Sequence, residues 1–134
     1  MRRILIIEDD SFIRENVSEA LRLSGYETFA ASNGKEGLAM ALNIIPDLIV
    51  CDIMMPIMDG YEVKKALGEK TETKSIPFIF LTAKAETKEL RYGMALGADD
   101  YIVKPFEIKD LLKSIEMRFE KIESYYSLRT RNEK

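Results

Sequence analysis

The sequence predicts an α/β domain built on a parallel sheet with helices on both faces. Three observations carry the prediction. Short apolar runs alternate five times with segments of helical spacing, the pattern of consecutive βαβ units. Two of the runs, Ile4–Ile7 and Leu48–Cys51, are continuously apolar, as expected of strands buried on both faces. Turn formers punctuate the alternation, among them Gly25, Asn33-Gly34, Pro56, Gly60 and Gly97. A chain of 134 residues suits a single compact domain with a substantial core.

The first strand is Ile4–Ile7, and it ends in Glu8-Asp9-Asp10. A helix follows from about Phe12 to Leu23, with Ile13, Val17, Ala20 and Leu21 on one face and Gly25 as its stop. Tyr26 to Ala31 reads as the second strand, and Ser32-Asn33-Gly34 as a turn. The second helix covers Lys35 to Asn43 and must end before Pro46. The third strand, Leu48–Cys51, stops at Asp52, because Pro56 and Gly60 forbid continuation. Asp59 and Glu62 stand three apart, as in a capping box, so a third helix runs from Gly60 to about Leu67. Gly68 to Ser75 is a polar loop. Pro77–Leu81 is the fourth strand, ending in Thr82-Ala83, and a fourth helix spans about Thr87 to Leu96. The fifth strand, Tyr101–Val103, ends in Lys104-Pro105-Phe106. The last helix begins near Glu107, with Ile108, Leu111, Leu112 and Ile115 toward the core.

Composition narrows the chemistry. The chain is 46% hydrophobic and 32% charged, with net charge −3, so electrostatics give no general case for nucleic-acid binding. One cysteine, Cys51, excludes a disulfide framework. The absence of histidine removes the commonest metal ligand and general base. Catalysis must therefore run on carboxylates, Lys, Thr or Ser. There is no G-x-G-x-x-G and no P-loop, which weakens nucleotide-dependent readings. No apolar stretch reaches membrane-spanning length, and Met1-Arg2-Arg3 leads straight into a strand, so a cytoplasmic location is the default expectation.

The strand tips carry the function. Parallel strands bring Glu8-Asp9-Asp10, Asp52, Thr82 and Lys104 to one sheet edge, where open α/β sheets place ligand sites. Each residue alone has a plainer reading: Asp52 as a turn or cap residue, Glu8 and Asp9 as solvated turn acids, Thr82 as a helix N-cap, Lys104 as a surface lysine. Their joint occurrence favours chemistry. Converging carboxylates resist ionisation unless a hard cation shares their charge, and Mg²⁺ takes oxygen ligands. A lysine and a hydroxyl alongside suit a tetrahedral anion. The physical reading is an Mg²⁺-assisted phosphoryl site with Asp52 as nucleophile.

With these residues in place the chain resembles the receiver domains of two-component response regulators. The matching segments are Ile6-Ile7-Glu8-Asp9-Asp10, Cys51–Pro56 with Met58-Asp59-Gly60, Leu81-Thr82-Ala83, Gly97–Tyr101 and Lys104-Pro105-Phe106. The resemblance covers about Arg3 to Phe119 and implies a flavodoxin-like, doubly wound, five-stranded sheet of order 2-1-3-4-5 with five helices. It implies that Asp52 accepts a phosphoryl group from a phosphohistidine of a sensor histidine kinase or phosphotransfer protein. Asp9, Asp52 and the Met54 carbonyl would bind Mg²⁺, with Glu8 reaching it through water. Lys104 would pair with a phosphoryl oxygen, and the Lys104-Pro105 bond would be cis. Thr82 would bond another oxygen, and Tyr101 would be the switch aromatic that turns inward as Thr82 moves. The resemblance further implies that Met54 and Lys84 occupy positions that tune hydrolysis of the phosphoaspartate. An apolar Met54 cannot orient water, so self-dephosphorylation is expected to be slow to moderate.

Residues 1–119 form the expected receiver domain, and residues 120–134 a helix extension, linker or frayed tail. Ile108, Ile115 and Ile122 are spaced by seven, yet the intervening positions do not make a coiled coil. Asp99-Asp100 resembles the acidic dimer face of the winged-helix subgroup, which raises a homodimer through helix four, strand five and helix five. Lys113, Arg118 and Lys121 would meet it, with Ser114 where Arg is frequent. The expected role is a signalling switch that turns over its own phosphoryl group, not an enzyme acting on other substrates. Three alternatives stand beside it. An aspartyl-phosphate hydrolase would want a second Asp where Met54 stands. A flavodoxin-type binder would want a Ser/Thr loop in place of the three acids. A degenerate receiver would bind partners without phosphate.

Overall fold

The structure is a computed structural model and describes residues 1–83 and 87–132. The elements are β1 (Arg3–Ile7), α1 (Ser11–Leu23), β2 (Glu27–Ala31), α2 (Gly34–Ile44), β3 (Leu48–Asp52), α3 (Gly60–Gly68), β4 (Phe78–Thr82), α4 (Thr87–Ala95), β5 (Asp100–Val103) and α5 (Ile108–Asn132). Every neighbouring pair of strands is parallel, in the order β2-β1-β3-β4-β5. This is the predicted flavodoxin-like topology.

Alternation along the strands divides the core into two layers. Leu5, Ile7, Ile49, Cys51, Phe78 and Phe80 pack against Ala41 of α2 and Val63 and Leu67 of α3. Ile4, Ile6, Leu48, Val50, Ile79 and Leu81 face the other way, onto Val17 and Leu21 of α1 and Leu111, Ile115 and Phe119 of α5. Every residue of β3 and β4 is buried, which is why their sequences show no polar face.

The predicted ends shift by a residue or so, each for a local reason. Asp10 caps α1 by accepting from Ile13 N at 3.0 Å, so the helix starts at Ser11 and not at Phe12. Asn33 caps α2 in the same way from Glu36 N, and Ile45 closes that helix in the left-handed region before Pro46. The capping box on α3 forms as predicted: Glu62 N donates to Asp59 Oδ1 at 2.9 Å, and Asp59 N donates to Glu62 Oε1 at 3.2 Å. Pro77 lies outside β4, yet its carbonyl accepts from Ile49 N. The polar segment after α3 is not simply solvated: Thr73 is buried, and its hydroxyl donates to Leu67 O at 2.7 Å.

Two close approaches bring helices onto the sheet. A Cβ on Gly60 would lie 2.4 Å from Asp52 O, so only glycine lets α3 begin against the end of β3. A Cβ on Gly93 would meet the Phe80 ring at 3.0 Å, which places α4 on the layer of α2 and α3. The last helix does not break at Phe119 but continues to Asn132. Arg2 stacks over Phe119 at 4.1 Å and pairs with Glu123 at 2.5 Å, and Ile122 packs on the layer that faces α1 and α5. Beyond that anchor Tyr125, Tyr126 and Leu128 are exposed. Among the described residues no helix is long and apolar enough to cross a membrane.

Candidate functional site

Sheet register assembles the site. Ile7 pairs with Cys51, Asp52 with Leu81, and Thr82 with Val103. Glu8 therefore lies level with Asp52, Thr82 stands one residue beyond the partner of Asp52, and Lys104 one residue beyond the partner of Thr82, so the tips form a staggered row along the sheet edge. Hydrogen bonds just past the ladders hold the row, with Glu8 N donating to Ala31 O, Ile53 N to Leu81 O and Lys104 N to Thr82 O.

Carboxylate oxygens of Glu8, Asp9 and Asp52 all lie within 4.8 Å of one another. Glu8 is fully buried, Asp52 is 4% exposed, and Asp9 faces solvent. Lys104 reaches into the group: its Nζ lies 2.5 Å from Glu8 Oε1 and 3.3 Å from Asp52 Oδ1. Burial and the neighbouring Glu8 charge push the Asp52 carboxyl up to about 7, although Lys104 pulls the other way. Burial would lower the Lys104 ammonium, but its contacts with Glu8 and Asp52 outweigh it and leave it raised. The site thus holds a carboxyl that resists ionisation beside a firmly charged lysine. Its donors are oxygens alone, which fits a hard divalent cation and not a soft one.

The remaining predicted residues fall as follows. Thr82 is buried at the tip of β4. Met54 sits on the loop after β3 with its side chain exposed. Tyr101 on β5 is 37% exposed. The Lys104–Pro105 bond is cis, as the resemblance implied. Lys84 lies outside the described residues. Asp10 leaves the acid group to cap α1. The Asp99-Asp100 pair is used within the chain: Phe78 N donates to Asp99 Oδ2 at 2.8 Å, Arg118 Nη2 to Asp99 O at 3.1 Å, and Ser114 Oγ to Asp100 Oδ2 at 2.5 Å.

Sequence reasoning missed two charged side chains. Arg14 bonds the β1–α1 loop from the first turns of α1, and Lys64 of α3 is only 3% exposed, with its Nζ 5.7 Å from the Phe78 ring centre. Arg14 had a signal: it stands four residues after the cap, on the turn that faces the loop. Lys64 had none, because a lysine between apolar helical positions reads as a solvated face.

Fold and site define a doubly wound α/β domain with an acid triad and a lysine at the carboxyl edge of its sheet. The chain matches the response regulator receiver domain over residues 4–116. It is 40% identical over 115 residues to the DNA-binding dual master transcriptional regulator RpaA of Synechocystis sp., covering 86% of this chain and 48% of that protein. It is 39% identical over 115 residues to the phosphate regulon transcriptional regulatory protein PhoB of Pseudomonas aeruginosa, covering 86% and 50%. The chain spans about half the length of the curated relatives it matches. Among solved structures it resembles chemotaxis response regulator CheY4 of Vibrio cholerae, with TM-score 0.83 and 36% identity over 87% of this chain and 98% of that one. It also resembles a response regulator receiver domain protein of Methanospirillum hungatei, with TM-score 0.87 and 31% identity over 93% and 98%. The chain belongs to the response regulator receiver domain family.

Proposed function

We propose that the domain accepts a phosphoryl group on Asp52 from a phosphohistidine of a sensor histidine kinase or phosphotransfer protein. The observation that carries the reading is Asp52 at the end of a buried strand, crowded by Glu8 and Asp9 and within 3.3 Å of Lys104. An Asp52 oxygen forms the new P–O bond as the P–N bond to the donor imidazole breaks, and the imidazole leaves with the electron pair. Lys104 is free to exchange its carboxylate partners for a phosphoryl oxygen as charge moves outward. Thr82, the next tip in the row, offers its hydroxyl to a second oxygen. Glu8, Asp9, Asp52 and the Met54 carbonyl would hold Mg²⁺, which when bound neutralises charge on the transferring group.

The switch follows from placement. Thr82 and Tyr101 stand on adjacent strands, and Tyr101 is partly exposed in this arrangement. A phosphoryl group that draws Thr82 toward Asp52 vacates space for the ring to turn in, shifting the population of the α4–β5–α5 face. That face is the surface for an output or a homodimer. Residues 1–119 carry the chemistry, and the continuation of α5 is the connection outward. Self-dephosphorylation is slow to moderate, since the apolar Met54 side chain stands exposed at the site and cannot orient water. The protein works in the cytoplasm, where its donor is made. The degenerate alternative finds no support, because Glu8, Asp9, Asp52, Thr82 and Lys104 are all present at one sheet edge.

The test is intact-mass analysis after incubation with acetyl phosphate and Mg²⁺. A single hydroxylamine-sensitive phosphoryl adduct is expected, absent from Asp52→Asn and from the chelated sample. An adduct that persists in Asp52→Asn, or none on the folded wild type, would overturn the reading.

A further inference from the structure

Of the three acids, Asp9 alone has no regular element to hold it. Glu8 continues the ladder of β1 through its bond to Ala31 O, and Asp52 belongs to β3. Asp9 lies in the bend between β1 and α1, exposed, with two like charges within 4.8 Å. Repulsion from Glu8 and Asp52 should swing this loop outward. The main chain around it is tied down instead. Asp10 N donates to Glu8 Oε2 at 3.3 Å, and Asp10 caps α1. Arg14 then closes the loop from above: its Nη1 donates to Glu8 O at 2.8 Å and to Asp9 O at 3.4 Å.

From this geometry we infer that Arg14 is a positioning residue for the metal site, fixing the peptide planes on both sides of Asp9 so that its carboxylate is held toward Asp52. One nitrogen bridging two successive carbonyls sets the direction in which the Asp9 side chain leaves the chain. Arg14 touches neither the carboxylates nor any reacting atom, so it acts through the main chain. Groups that orient metal ligands typically alter affinity 10–100-fold when removed. The inference rests on the proposed Mg²⁺ role of Glu8, Asp9 and Asp52.

The test is titration calorimetry of the unphosphorylated protein with Mg²⁺, beside Arg14→Ala, Arg14→Lys and Arg22→Ala. Arg22 is the control: it lies on the same helix and pairs with Glu19, away from the site. Arg14→Ala is expected to raise Kd about 10-fold or more. Arg14→Lys, whose side chain ends about one bond short of the carbonyls, should fall between, and Arg22→Ala should match wild type. Equal Kd for wild type and Arg14→Ala would overturn the inference while leaving the site intact. An equal loss in Arg22→Ala would overturn it too, by showing a general charge effect. If Arg14→Ala does not fold, Arg14→Lys decides, and an unchanged Kd there would overturn it. Absence of Mg²⁺ binding by the wild type would overturn the site reading itself, and the positioning role with it.

Discussion

β3 contains two regions that act on stability with opposite sign. Leu48–Cys51 are wholly buried among apolar neighbours from both layers, and each contributes favourable burial. Asp52, one residue on, is almost as buried but among like charges. The strand body holds the fold, and the strand tip draws on that stability to hold a carboxyl at about 7. A site that keeps three acids together needs a rigid frame beneath it, and here the two are continuous along one strand.

Substitutions can separate the two regions. In the adjoining strand body of β4, Phe80→Ala should destabilise by about 3–5 kcal/mol, equally at pH 5.5 and pH 8 by urea unfolding, because the ring packs against Phe78, Tyr61 and Gly93. Beside the tip, just past β5, Lys104→Met should cost about 3 kcal/mol at pH 8, since it leaves Glu8 buried without its cation. A smaller loss than for an exposed lysine pair would break the comparison.

Asp52→Asn should move the other way and stabilise the metal-free protein by about 2 kcal/mol at pH 8. The folded carboxyl titrates near 7, above its ordinary 3.8, so the folded state binds the proton more tightly. Wild-type stability from this group is therefore greatest below about pH 4, falls between 4 and 7, and stays low above. The advantage of Asp52→Asn should grow across that window, and adding Mg²⁺ at pH 8 should reduce it. The smallest effect is Asp59→Ala, which removes the α3 cap at about 1 kcal/mol and should not depend on Mg²⁺.

The same division governs what could be read from the sequence. The strand bodies and their tips were legible because an apolar run stopped short by Pro or Gly is too brief for a buried helix and packs well as a strand. The capping box on α3 was legible because its two partners lie three residues apart in the chain. Asp10 shows the limit: an acid after a strand can join a cluster or cap a helix, and only the three-dimensional path chose the cap. The continuation of α5 was obscured because its anchor is nonlocal, built from Arg2 and Phe119 at opposite ends of the chain. The inward use of Asp99 and Asp100 was hidden because their partners, Phe78 N, Arg118 and Ser114, come from other elements.

The unbroken α5 also has a mechanical consequence. From its last anchor at Glu123 to Asn132 it projects roughly 14 Å at 1.5 Å per residue. A lever of that length turns a tilt of about 10° at the sheet into a sweep of roughly 2.5 Å at its far end. A small change of tilt at the sheet would thereby become a displacement on the scale of a bond or two at the far end, with the helix as both fulcrum and pointer.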